Sequence, residues 1–420
     1  MMPPRSKPIS DFLLTLGSSG AAAGFGLLAI PLIAIYFSES EVGGFARFSA
    51  LAGICTVLGV LRSDQIIALA SDDREARTST LVPVGASLFL ALPAFALIAA
   101  LSSSDEGASL VSIVVIGAWI PISTLQSAGI FFHQRRGDFK RPAWSKIIRA
   151  VVQVLGLGLL AAGLEGTLVL AISFTLAPLA GLLVLGLPAF GGGIDGRLSL
   201  AEVLARRRAD LRLLALYSTP SIGLAQIVTQ VPVVAFGYGF GDAASGTFYM
   251  ARRLLLGSMQ LVGIAIHQVF LPRWSRMRDA GIPFENEFRR LIPACLAVMA
   301  AVGIGLVLLV DIAIPRLDPG RWADLGWVSA WLLPAFVLAG GVITTRCYWI
   351  VSRRQKHELR VNLAGSLVVL VGLGAIFFTT FPNAVVWFML AAVIGNGMMI
   401  AAALRSAGRQ IKEPVGNGHA

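Results

Sequence analysis

The chain has 420 residues, of which 56% are hydrophobic and 14% charged; a soluble domain carries roughly 25% charged residues, so this one needs lipid as its solvent. Its net charge of +11 raises nucleic acid as a partner, but the basic residues gather in short loops between apolar runs. Membrane lipids with anionic headgroups account for them, and no nucleic acid is expected.

Twelve apolar runs long enough to span a bilayer as helices follow in chain order: 12–37, 43–69, 79–101, 109–132, 144–163, 166–190, 211–236, 245–270, 289–314, 325–350, 358–379 and 384–404. The first is too long for the core of a cleaved signal peptide and is expected to be retained. With the N-terminus inside, the loops holding Arg135, Arg136, Lys140 and Arg141, then Arg206 to Arg208, then Arg273, Arg276 and Arg278, then Arg353, Arg354 and Lys356 are cytoplasmic. Only Arg316 and Arg321 fall outside, while Arg47, Arg252, Arg253 and Arg346 lie within runs. This is the positive-inside bias, and it puts both termini in the cytoplasm of a bacterial inner-membrane, multi-pass protein.

An internal repeat is visible. The segment IPLIAIYFSESEVGGFARF at Ile30 to Phe48 matches VPVVAFGYGFGDAASGTFYMARR at Val231 to Arg253: a proline midway along one helix, an acidic exterior loop, then a glycine and an aromatic opening the next helix, with arginine a turn or two in. FFHQRRGDFK at the end of the fourth run pairs likewise with YWIVSRRQKHEL at the end of the tenth. The expected fold is therefore an all-α polytopic membrane protein, about 12 transmembrane helices in two six-helix lobes related by pseudo-two-fold symmetry along the membrane normal. Residues 1–190 form the first lobe, 191–210 a cytoplasmic linker with a basic amphipathic piece, 211–404 the second lobe and 405–420 a polar, disordered cytoplasmic tail.

Chemistry-bearing clusters are scarce. Cys55, Cys295 and Cys347 each sit in a run, the four histidines are scattered, and no metal-ligand, nucleophile-elbow or phosphate-loop motif occurs; no enzyme activity, cofactor or metal is expected. What remains is intramembrane polarity, which is costly and marks cavities or partner helices. Tyr249, Arg253, Gln260 and His267 share a face of the eighth run, as do Thr219, Gln226 and Gln230 in the seventh and Ser123, Gln126 and His133 in the fourth. These stripes suggest a hydrated path. The two arginines Arg252 and Arg253 point about 100° apart, so Arg253 shares the polar face and Arg252 packs or snorkels.

On these segments, together with LRSDQIIALASDDREA after the second run and RRLLLGSMQLVGIAIHQVFLP along the eighth, the chain resembles the polysaccharide-biosynthesis, O-antigen (Wzx-like) flippases of the multidrug/oligosaccharidyl-lipid/polysaccharide exporter superfamily. The resemblance covers nearly the whole chain. It implies a transporter that flips undecaprenyl-pyrophosphate-linked oligosaccharide, a repeat unit of O-antigen or exopolysaccharide, by alternating access, with a polysaccharide polymerase and glycosyltransferases as partners. Relatives of this kind line a cationic cavity with arginines from helices 1, 2 and 8. Arg47 takes the helix 2 place here and Arg252 or Arg253 the helix 8 place, whereas the first run has no arginine. After the second run, Ser63 and Asp64 stand where an aromatic and an acid are expected, so the acid is kept and the ring lost. The implied substrate-binding set is Arg47, Arg252, Arg253, Gln226, Gln230, Gln260 and His267. The competing readings are a multidrug exporter of the same superfamily, which would want an acidic or aromatic cavity, a membrane-embedded polysaccharide polymerase or ligase, which would want more exterior surface than these loops provide, and a non-transporting scaffold.

Overall fold

A computed structural model describes residues 29–60, 66–67, 70, 73–89, 110–160, 166–186, 199–213, 216–217, 219–317 and 320–412, with short pieces at 17 and 24–26. The protein is an all-α polytopic membrane protein, and its described residues contain no strand. Six described helices are long and apolar enough to cross a membrane: Gly166–Leu185, Thr219–Phe240, Glu285–Ile314, Leu325–Val351, Gln355–Phe378 and Phe381–Gln410. Helices Glu39–Val60, Leu110–Arg135, Lys140–Leu160 and Asp242–Asp279 coincide with the second, fourth, fifth and eighth runs. Half of the first run, the second half of the third, and Ser63 and Asp64 lie outside the described residues.

Three helices are longer or later than their apolar runs. The seventh begins at Thr219 with Pro220 in its first turn, where the missing N–H costs nothing, and short helices Leu200–Arg206 and Arg208–Leu213 occupy the stretch before it. The eighth continues through Arg273, Arg276 and Arg278 to Asp279, a length of about 57 Å at 1.5 Å per residue against a hydrocarbon core of about 30 Å. The last runs to Lys412, so the tail expected to be disordered is helical for its first two turns. Tyr348 holds it: its hydroxyl donates to Gln410 Oε1 and hydrogen-bonds with Ser406 Oγ, each at 2.9 Å.

Packing divides the chain into two compact units, Met1–Gly246 and Thr247–Ala420. In the first, helix Gly166–Leu185 packs against both Leu110–Arg135 and Lys140–Leu160, and Thr219–Phe240 packs along Glu39–Val60. The seventh run thus belongs, by its contacts, with the second. Small residues permit this approach: a Cβ on Gly53 would lie 3.0 Å from Gln230 Nε2, and one on Gly237 would overlap the Arg47 side chain. In the second unit, Leu325–Val351 lies against Glu285–Leu317 and Phe381–Lys412, which also covers Gln355–Gly374. Its core at one end is aromatic: Trp274 stacks on Phe284, and Phe288 stacks on Tyr348 with ring centroids 4.7 Å apart.

The second pair of repeated segments folds alike in detail. After helix Leu110–Arg135, Gly137 is left-handed (φ 73°), and the N–H groups of Gly137 and Asp138 bond back to the carbonyls of Gln134 and His133. After Leu325–Val351, Arg353 is left-handed (φ 55°), and Arg353 and Arg354 bond back to Ile350 and Trp349. Both are the 5→2 and 6→1 pairs of a Schellman stop, one made by glycine and the other by an arginine that bears the cost of that backbone region.

The expected linker is more structured than a flexible link. Ser199 caps helix Leu200–Arg206 in a reciprocal box with Glu202, and the hydrogen bonds from Ser199 hold the Glu202 carboxyl below the usual carboxylate range. Val203 is buried, and this piece packs on the short helix Asp73–Ser79. There Arg207 forks onto Glu75, Nε to Oε1 at 2.6 Å and Nη2 to Oε2 at 3.1 Å, with Glu75 only 1% exposed.

Candidate functional site

Arg47, expected as a cavity cation, is 8% exposed and ion-paired: its Nη2 lies 2.7 Å from Asp242 Oδ1. Its guanidinium also sits over the Tyr238 ring, 5.7 Å from the centroid, a favourable cation–π placement. The partner carboxylate was visible in the sequence only as part of an acidic loop. What brings it here is a reciprocal contact between the two copies of the first repeated segment. A Cβ on Gly43 would overlap the Asp242 carbonyl, and one on Gly246 would overlap the Glu39 carbonyl. Glu39 relates to Asp242 along the chain as Gly43 relates to Gly246, so the same two positions meet twice. The backbones come so close that only glycine fits at either place.

On the same unit, Gln226 and Gln230 are half-buried on one stripe of helix Thr219–Phe240 with buried Thr219 at its start. The fourth-run stripe is different. Gln126 and His133 are buried, Gln126 Nε2 donating to Ser145 Oγ at 3.1 Å and His133 Nε2 meeting Leu185 O at 2.9 Å. Ser123 closes on its own helix through Ile120 O. Gln126 and His133 hold helices together, because each spends a polar group on a neighbouring helix.

In the second unit, helix Asp242–Asp279 carries Arg252, Arg253, Gln260 and His267. Leu254, Leu255, Leu256, Ser258 and Met259 are buried, whereas Gly257 and Gln260 are exposed and Arg253 is half-exposed. At 100° per residue, Arg253, Gly257 and Gln260 span about 60°, so one narrow face of an otherwise packed helix is open and polar. Arg252 is likewise half-exposed, its guanidinium 5.4 Å from the Tyr249 ring centroid. The His267 side chain lies outside the described residues. Among the described residues no group of three or more histidine, cysteine or carboxylate side chains is arranged to hold a metal.

Residues 63–325 match the family model of the polysaccharide biosynthesis protein family. The chain belongs to that family. No curated protein matches it by sequence. Among solved structures, it is similar to the lipid II flippase MurJ in an inward closed conformation, at 13% identity and TM-score 0.70 over 96% of this chain and 94% of that one. An inward-facing multidrug resistance MATE transporter of the MOP superfamily aligns at 15% identity and TM-score 0.66 over 99% and 98% of the two chains. A MOP superfamily transporter from Pyrococcus furiosus, described as having a binding pocket of reversed polarity, aligns at 13% identity and TM-score 0.61 over 97% and 98%. The fold of this family member is accordingly that of the MOP superfamily transporters, the twelve-helix architecture expected from its two repeats.

Proposed function

We propose that the protein flips an oligosaccharide carried on undecaprenyl pyrophosphate across the bacterial inner membrane by alternating access, with both termini in the cytoplasm. The observation that carries this reading is the open face of Arg253, Gly257 and Gln260 on helix Asp242–Asp279, which on this reading crosses the membrane. An arginine at that depth is costly unless it meets an anion or water, and a guanidinium fork matches phosphate oxygens two at a time. Gly257 leaves room beside it, Gln260 and His267 continue the polar stripe, and Arg252 stiffens the helix through Tyr249. Gln226 and Gln230 supply amides suited to sugar hydroxyls. Arg47 contributes to substrate only by exchanging Asp242 for it.

The physics suits a lipid-linked anion. The polyprenyl chain stays in hydrocarbon while the sugars cross through water, and an inside-negative potential favours outward movement by about 2.3 kcal/mol per charge per 100 mV. Family membership and the fold shared with a lipid II flippase support the same substrate class. A polysaccharide polymerase and glycosyltransferases would act on the product and supply the substrate.

The test is flipping of a fluorescent undecaprenyl-pyrophosphate glycan in proteoliposomes. Arg253→Ala abolishes flipping at normal insertion, Arg253→Lys restores part of it because an ammonium cannot take two oxygens in the plane, and Arg252→Ala retains most of it. Full flipping by Arg253→Ala with Arg252→Ala inactive would overturn the assignment of this face.

A further inference from the structure

Helix Lys140–Leu160 has two opposed faces. Trp144, Leu155 and Leu159 are exposed large apolar side chains and fall within about 60° of one another, as a lipid-facing stripe would. Lys146, Arg149 and Gln153 are half-buried and cluster within about 60° of one another, roughly 140° round the helix from that stripe. Three polar side chains of the first unit are thus turned away from its apolar stripe.

Arg149 is built into that side of the helix. It lies about 13 Å from the helix start at Lys140, and its Nη1 donates to Gln126 Oε1 at 3.2 Å. Gln126 cannot turn away. Its Nε2 donates to Ser145 Oγ at 3.1 Å, and Ser145 Oγ donates to Gly181 O at 2.8 Å, which leaves Ser145 Oγ as the acceptor and fixes the Gln126 oxygen toward Arg149. Gly181 makes the space, since a Cβ there would overlap Gln126 Nε2. Gln126 is 2% exposed and Ser145 fully buried, so the guanidinium is anchored to the interior of the first unit. Its partner is a neutral amide, and no described carboxylate pairs with it. A cation held on a neutral oxygen keeps its full charge, which favours an anion beside it.

We infer that Arg149, with Lys146 and Gln153 beside it, is a second oxyanion site in the first unit that takes an acidic group of the lipid-linked glycan. This rests on the function proposed above and adds a residue set that the family arginines do not include. Two parts of such a substrate present that chemistry, the pyrophosphate bridge and the carboxylate of an acidic sugar.

Three probes distinguish them by binding to protein in nanodiscs: undecaprenyl pyrophosphate alone, the same lipid with a neutral disaccharide, and the same lipid with a uronic-acid disaccharide. Arg149→Gln weakens all three roughly tenfold or more if the site takes the pyrophosphate, and the uronic-acid probe alone if it takes the sugar, because a charge-assisted hydrogen bond is lost. Arg149→Lys falls between, and Arg141→Gln, exposed at the helix start, binds as wild type. Lys146→Gln and Gln153→Leu, which leave the Gln126 network whole, reproduce the pattern more weakly and carry the test if Arg149→Gln fails to fold. Unchanged binding by all of these variants overturns the inference alone. Wild-type protein that binds none of the probes overturns the lipid-linked-glycan reading and this inference with it.

Discussion

Arg47 Nη2 and Asp242 Oδ1 lie 2.7 Å apart, joining the arginine of the first repeated segment to the acid of the second. Asp242 retains 35% side-chain exposure while Arg47 is nearly buried, so removing the acid strands a charge in a partly wet setting. Asp242→Ala is expected to cost between the ~1 kcal/mol of an exposed pair and the ~3–5 kcal/mol of a buried one. Thermal unfolding in detergent measures it, and the exchanged pair Arg47→Asp with Asp242→Arg should recover part of the loss. Equal stability of Asp242→Ala and wild type would mean that the pair contributes nothing.

Gly43 and Gly246 face the Asp242 and Glu39 carbonyls at a distance that leaves no room for a methyl group. Overpacking of this kind costs roughly 1–3 kcal/mol. Gly43→Ala and Gly246→Ala are each expected to lower the unfolding temperature and to cut flipping. Gly257→Ala meets nothing within 4 Å and should leave stability unchanged, which separates a packing glycine from one that only keeps a face open.

The Glu75–Arg207 fork ties the expected linker to helix Asp73–Ser79. Glu75→Ala leaves a guanidinium without its carboxylate in a mostly buried place, at a cost of roughly 3–5 kcal/mol. Trypsin should then cleave at Arg206 to Arg208 faster than in wild type. A double-mutant cycle with Arg207→Ala gives the coupling, and additive losses would show that the two side chains act independently.

Tyr348 reaches the final helix through Ser406 and Gln410, and Arg354 Nη1 adds a bond to the same Ser406 oxygen at 3.0 Å. Tyr348→Phe should destabilise the second unit by about 1–3 kcal/mol, since buried Ser406 and half-buried Gln410 lose their hydroxyl partner. Truncation before Arg405 should cost more, because Ala407 and the aromatic cluster it covers become exposed. Wild-type stability of the truncated chain would show that residues beyond 404 are dispensable.

Apolar length and the placement of basic loops determined from the sequence that this is a polytopic helical membrane protein, since runs of about 20 apolar residues satisfy their hydrogen bonds in hydrocarbon as helices, whereas barrel strands are shorter and alternate. The repeat at Ile30 and Val231 was legible because both copies keep proline, acid, glycine and arginine in order. Periodicity also located the face of Arg253 and Gln260, because angular position along one helix depends on residue spacing alone. It could not tell that face from the stripe of Gln126 and His133, which has the same spacing but is consumed by Ser145 and Leu185 O on neighbouring helices. Arg47 looked like a free cavity cation until the fold brought Asp242 to it, and the spacing of Arg149 gave no sign of the Gln126 oxygen that meets it. The continuation of the last helix past Arg405 was hidden too, because a polar tail becomes ordered only when a distant hydroxyl such as that of Tyr348 is positioned to bind it. Only tertiary structure decides such cases: a polar side chain's role is set by the partner it meets across helices, and that partner is chosen by packing.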